Sequence, residues 1–190
     1  MGSIVLTHPR NPVGDKYSEG MRLVELDRRS EPYWDELIAG EHEPFGSIGE
    51  QLVWREKTRN IGVREDDGRL VAAGGAVLAD VKIGREPSFQ VAGLGGLIVT
   101  RSARGRGLAR LLAARMLEIA GELEAERAML FCRPELTSLY ARFGFVTIEA
   151  PVWVDQPEGR VEMPMPAMWS ALGGNADWPP GRVDLLGEPF

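Results

Sequence analysis

Leu97-Ile98-Val99-Thr100-Arg101-Ser102-Ala103-Arg104-Gly105-Arg106-Gly107-Leu108-Ala109 reads as an apolar strand, a turn rich in glycine and arginine, and the opening of a helix. The strand is expected to end near Val99 and the helix to begin near Gly107. Gly105 and Gly107 lack a Cβ, so the backbone there can turn tightly and approach a ligand closely. The first amides of a helix have no intrahelical acceptor, and with the helix dipole they form an anion site suited to a pyrophosphate. Arg104 and Arg106 would add charge-assisted hydrogen bonds. The plainer alternative is a surface turn whose arginines are merely solvated. The GxxxxGK[ST] loop is absent. The dinucleotide fingerprint lacks its third glycine, where Arg110 stands, and its distal acid is met only loosely, by Glu126.

Outward from this turn, Leu108 to Leu123 carries its apolar residues 108, 111, 112, 116, 119 and 123 on one helical stripe. Phe89 to Val99 reads as a strand. Ahead of it, Ile61–Val63 and Leu70–Leu78 flank Asp66-Asp67-Gly68, a hairpin signal because Asp-Gly suits positive φ. Downstream the pattern predicts a strand over Ala128–Cys132, a helix over Pro134–Arg142, a strand over Phe145–Val154 and an extended tail over 173–190. Met21–Leu26 alternates like a first strand. A helix follows the Ser30 cap to Gly40, and a short second helix is expected over Ile48–Lys57. Residues 1–20, rich in Pro, Gly and polar side chains, read as a poorly ordered lead-in. The order implies an α/β (mixed α+β) fold, a mixed sheet with helices on both faces.

At 190 residues the chain suits one core, taken as a single domain over 21–190. Net charge is −6, from 28 acids against 22 bases, which speaks against a nucleic-acid partner. Five of the bases, Arg101, Arg104, Arg106, Arg110 and Arg115, nevertheless crowd around the turn. Cys132 is the one cysteine, so no internal disulfide or multi-cysteine zinc cage is expected. It reads as a packed small hydrophobe. With His8 and His42 as the histidines, no metal site is expected. No apolar run approaches the roughly 18–20 residues of a membrane span, and no signal peptide is evident, so a cytoplasmic protein without a membrane partner is expected.

Two motifs then become specific. Arg104-x-x-Gly107-x-Ala109, preceded by Leu97-x-Val99, resembles the acyl-CoA pyrophosphate loop of the GNAT (Gcn5-related N-acetyltransferase) superfamily. Leu139-Tyr140-Ala141-Arg142-Phe143-Gly144-Phe145 resembles that family's LYxxxGF corner between helix and strand. The resemblance covers about residues 20–165, with the matching residues concentrated in 94–148. It implies a GNAT-type central sheet, mostly antiparallel, flanked by helices on both faces. It also implies acetyl-CoA as acyl donor, with no metal. By position, the backbone of Leu97, Ile98 and Val99 would meet the pantetheine arm, and the amides of Arg104, Gly105, Arg106, Gly107, Leu108 and Ala109 the pyrophosphate. Tyr140 matches the tyrosine that protonates the departing thiolate; otherwise it is a core aromatic whose hydroxyl reaches the surface. The implied reaction is direct attack of a small molecule's primary amine on the thioester. Two alternatives stand beside it, a peptide or protein amine acetyltransferase and a non-catalytic acyl-CoA-binding module.

For the acceptor, Arg133–Phe145 and the tail Asp177-Trp178-Pro179-Pro180-Gly181-Arg182-Val183-Asp184 to Phe190 resemble aminoglycoside 2'-N-acetyltransferases. The Asp-Trp-Pro-x-Gly run is also similar to the rhizobial nodulation acyltransferases. Both groups act on amino sugars. One departure matters: where the aminoglycoside enzymes carry a strand glutamate, this chain has Gly95-Gly96. A base would then come from the carboxylate of Phe190, Glu188, Asp184 or a water held by backbone groups, and each acid reads equally as a solvated surface charge. The glycines either permit close strand packing or leave space for a larger acyl chain. The acid excess would concentrate a cationic amine. Trp153, Trp169 and Trp178 either line a pocket or belong to the core. Relatives in the family are often homodimers, and no residue pattern here decides that point.

Overall fold

Leu70–Ile83 and Phe89–Val99 are long runs rich in small and β-branched residues, the first buried along most of its length and the second over 91–94 and at Ile98, as strands covered on both faces are. They form the middle of the sheet in the computed structural model, which describes residues 16–18, 20–27, 37, 51–173 and 176–190. In chain order the strands and helices are β1 (Lys16–Ser18), β2 (Met21–Leu26), β3 (Arg59–Glu65), β4 (Leu70–Ile83), β5 (Phe89–Val99), α1 (Leu108–Glu122), β6 (Arg127–Phe131), α2 (Thr137–Ala141), β7 (Val146–Thr147), β8 (Val152–Gln156), β9 (Gly159–Glu162), β10 (Ala167–Ala171) and β11 (Val183–Leu186). The sheet order is β1-β2-β3-β4-β5-β6-β10-β7. β11 joins the edge of β4 beyond the end of β3 and carries β8 and β9 with it. The β5–β6 and β8–β11 ladders are parallel and the other described ladders antiparallel.

The predicted stripe places α1 on one face of the sheet. Leu108, Leu112, Met116 and Ile119 are buried against Ala92, Leu94 and Leu130, each worth about 1.5–3 kcal/mol of burial. The fit is close: a Cβ on Gly74 of β4 would come within 2.6 Å of the Met116 sulfur. A second core lies around Val81, Val91, Phe131, Val154, Leu185 and Phe190. The tail supplies two of those six residues.

Several sequence expectations change here. Residues 1–15 of the expected lead-in lie outside the described residues, while Lys16–Ser18 pairs with β2. The helix expected over Ser30–Gly40 also lies outside them, apart from Leu37, which is helical and buried beside Leu26 and Leu70. The second helix expected over Ile48–Lys57 is not formed in its described part, 51–57. Its backbone bonds elsewhere: Arg55 N–H donates to the Pro189 carbonyl (2.6 Å) and Val53 N–H to Gln156 Oε1 (2.8 Å). The strand expected over Phe145–Val154 is split into β7 and β8 around Pro151, which has no N–H to give a ladder. The tail expected to be extended contains β11. Helices on both faces are therefore only partly in view: among the described residues, α1 and α2 are the α-helices of more than one residue.

Candidate active site

The site begins where two parallel strands part. β5 pairs with β6 at Ala92↔Ala128, Gly93↔Met129 and Leu94↔Leu130, and then the ladder ends. On its other edge β5 stays paired with β4 as far as Val99↔Ala72. Between Ala73↔Ile98 and Gly75↔Gly95, β5 spends one more residue than β4, a bulge at Gly96–Leu97. Gly96 has φ +65°, a conformation that suits glycine. Gly95–Val99 thus faces a gap with one edge that no described strand covers. An edge of this kind binds extended ligands by main-chain hydrogen bonds. Leu97, Ile98 and Val99 lie on it as expected, with Ile98 buried and Leu97 and Val99 half-buried.

The chain then forms the turn. Arg101–Ala103 makes one 3-10 turn anchored by buried Ala103, and α1 begins at Leu108 after Gly107, as predicted. Gly105 (φ +77°) and Gly107 (φ +80°) both occupy the left-handed region, which directs the turn around the helix start. A Cβ on Gly105 would meet nothing within 4 Å, so the turn is open on that side. Arg104, Gly105, Arg106 and Gly107 are exposed, Ala109 half-buried and Leu108 buried. The arginines are held: Arg104 Nε donates to the Val99 carbonyl (3.2 Å), and Arg106 pairs with Glu65 at 2.7 Å. Glu65 also accepts from Arg69. The Arg106 hydrogen bond, followed by that from Arg69, holds its carboxyl below the usual range. Arg115, further along α1, is half-buried and paired with Glu118 and Glu122.

Tyr140 stands on α2 in an edge-on contact with Phe145 (6.0 Å between centroids). Gly144, at φ +84°, makes the corner between them. Burial, and then the neighbouring Cys132 thiol, push the Tyr140 hydroxyl above its ordinary pKa, so it keeps its proton throughout the neutral range. Cys132 itself is buried, its thiol pushed up to about 11 by burial and then by Glu135. It behaves as the small hydrophobe expected of it. Because Cys132 directly follows β6, its neighbour Tyr140 belongs to the β6 side of the gap.

Two features lay beyond the sequence reading. The Phe190 ring lies over Gly93, where a Cβ would meet it at 2.5 Å, and against Phe131 (5.2 Å between centroids). The space beside Gly93 is thus filled by the tail, and the Phe190 carboxyl group, one of the bases the sequence offers, lies beside Gly95, where a Cβ would come within 2.6 Å of its carbon. The second is Lys57, whose stem crosses Gly75 and Gly95. Neither a lone lysine in an expected helix nor a terminal phenylalanine carries a local signal. Other candidates lie elsewhere. Asp184 registers with Lys82, seven residues along β4 from Gly75, or about 23 Å at strand rise, and is held by Arg160 and Arg182. Trp169 and Trp178 pack together (5.4 Å), and Trp178 meets Phe89 at the far end of β5. The Trp153 ring carries the Arg182 guanidinium at 4.7 Å. Among the described residues no cluster of three or more His, Cys, Asp or Glu could hold a metal, and no helix is long and apolar enough to cross a membrane.

Comparison with known proteins bears on the fold and the family. The family model described as Acetyltransferase (GNAT) family matches residues 22–145. Glucosamine 6-phosphate N-acetyltransferase 1 of Oryza sativa subsp. japonica is 35% identical over 120 residues, which are 62% of this chain and 67% of that protein. Among solved structures, a GNAT family N-acetyltransferase of Escherichia coli in complex with CoA superposes with a TM-score of 0.58 at 18% identity, covering 96% of this chain and 99% of that one. The ribosomal-protein-S18-alanine N-acetyltransferase of Escherichia coli follows with a TM-score of 0.52 at 15% identity, covering 83% and 97%. At such identities these two structures speak to the fold.

Proposed function

The chain belongs to the acetyltransferase (GNAT) family and is an acetyl-CoA-dependent N-acetyltransferase; from that premise we propose that its acceptor is the amine of an amino sugar. The observation that carries this reading is the 35% identity, over 120 residues, to a glucosamine 6-phosphate N-acetyltransferase. The tail over Asp177–Asp184, which resembles that of aminoglycoside 2'-N-acetyltransferases, would suit the same acceptor class.

In this reading the donor lies in the gap between β5 and β6. The uncovered edge of Leu97, Ile98 and Val99 holds the pantetheine arm, and the amides of Arg104 through Ala109 receive the pyrophosphate. Arg106 offers its charge to the phosphates while keeping or exchanging Glu65. The acceptor amine attacks the thioester carbonyl directly, and Tyr140 gives its proton to the departing thiolate. A phenol with a raised pKa does this in concert with C–S cleavage, since it would not release its proton beforehand.

The test is thiol release from acetyl-CoA with glucosamine 6-phosphate, glucosamine, an aminoglycoside, a polyamine and an N-terminal alanine peptide. Preference for an amino sugar is expected. Preference for the peptide overturns the acceptor, and donor binding without turnover on any amine favours a binding module.

A further inference from the structure

Lys57 lies in a trough made for it. Gly75 of β4 and Gly95 of β5 are registered partners. A Cβ on Gly75 would come within 2.9 Å of the Lys57 Cβ, and one on Gly95 within 3.0 Å of its Cε. The stem therefore runs from β4 across to β5, and its Cε reaches the strand one residue past the last β5–β6 pair, Leu94↔Leu130. Its recorded hydrogen bond is to a neutral acceptor, the Arg55 carbonyl, at 3.3 Å. The groups around it are glycines on β4 and β5, the terminal carboxyl group of Phe190 beside Gly95, and Arg55 on its own segment, whose guanidinium is taken by the carbonyls of Leu78 and Leu186. Glu56, the adjacent acid, is exposed. Burial lowers the pKa of this half-buried ammonium to about 8.

Resting on the reading that the acyl group lies in the β5–β6 gap, we propose that the Lys57 amine, laid across the Gly75–Gly95 pair, takes the proton from the acceptor's ammonium. The neutral amine accepts one proton, and the freed nitrogen lone pair attacks the thioester carbonyl. The C–N bond forms as the C–S bond breaks, and the thiolate takes the Tyr140 proton. The second proton on nitrogen returns to the tyrosinate, and Lys57 passes its own to solvent. Ammonium and thioester thereby yield amide, thiol and one proton.

The chain has three lysines, Lys16, Lys57 and Lys82, so 13C-dimethylation gives three side-chain signals, assigned with Lys57→Arg. The Lys57 signal is expected to titrate near pH 8 and to move when acetyl-CoA is added, while the other two stay in place. With the best amine of the panel, Lys57→Met is expected to lower kcat about 10²-fold and to abolish the acid limb of the pH profile, leaving the acetyl-CoA Kd within about twofold. That variant removes a buried charge, so thermal melting should show it folded. A Lys57 signal indifferent to acetyl-CoA, or a variant that retains kcat and the acid limb, overturns the proposal. If no amine is turned over, the amino-sugar reading fails separately, and the lysine signals still decide this one.

Discussion

Phe190 and Gly93 lie 97 positions apart in the sequence, yet a Cβ on the glycine would come within 2.5 Å of the phenylalanine ring. The ring, 1% exposed, joins the tail to the end of the β5–β6 ladder and rests on Phe131. The tail is therefore part of the core that shapes the gap.

Gly93→Val should accordingly destabilise by about 1–3 kcal/mol through overpacking, and Phe190→Ala by about 3–5 kcal/mol through loss of a buried ring. Urea denaturation measures both. Removing residues 185–190 takes out Leu185 and Phe190 together and should abolish cooperative unfolding. A cooperative transition at wild-type urea concentration would contradict the packing.

Gly107 caps α1 at φ +80°, where a β-branched residue is strained by about 1–3 kcal/mol. Gly107→Val should reduce CoA affinity at least about 100-fold, a loss of roughly 2.7 kcal/mol or more, with the far-UV circular dichroism unchanged. Calorimetric binding at wild-type affinity would remove the turn from the donor site.

Tyr140→Phe keeps the edge-on contact with Phe145 and deletes the hydroxyl. The expected outcome is a kcat lower by about 10²–10⁴ with acetyl-CoA affinity retained. Equal losses in both would reduce Tyr140 to a packing role.

Glu65 gathers Arg106 and Arg69, which depress its pKa, so its contribution is present above the unfolded carboxylate value and fades as pH falls through the folded one. Its side chain is 20% exposed. Glu65→Gln should lower stability by about 0.5–1 kcal/mol at neutral pH, and the difference from wild type should close in acid. Urea titrations at neutral pH and below about pH 3 check the sign; a gap that widens in acid would refute it.

The predicted strand ending at Val99, the helix starting at Leu108 and the Gly144 corner beside Tyr140 all rest on spacing within a few residues. Glycines at the turn, an apolar stripe on α1 and an aromatic ahead of a glycine are local constraints on φ and on burial. They make the turn and the family legible in the sequence alone. The same local reasoning misread Ile48–Lys57 as helix, because its backbone partners, Pro189 and Gln156, are more than a hundred residues away.

What the sequence by itself determined is the class of chemistry, through short motifs whose backbone conformation each residue enforces alone. What only the tertiary structure decided is the interior of the gap. Gly93, Gly75 and Gly95 are empty positions on strands, and an empty position says nothing about what fills it. Phe190 and Lys57 fill them because sheet register and the β11 crossover bring distant segments to the same few ångströms, a proximity that no local propensity encodes.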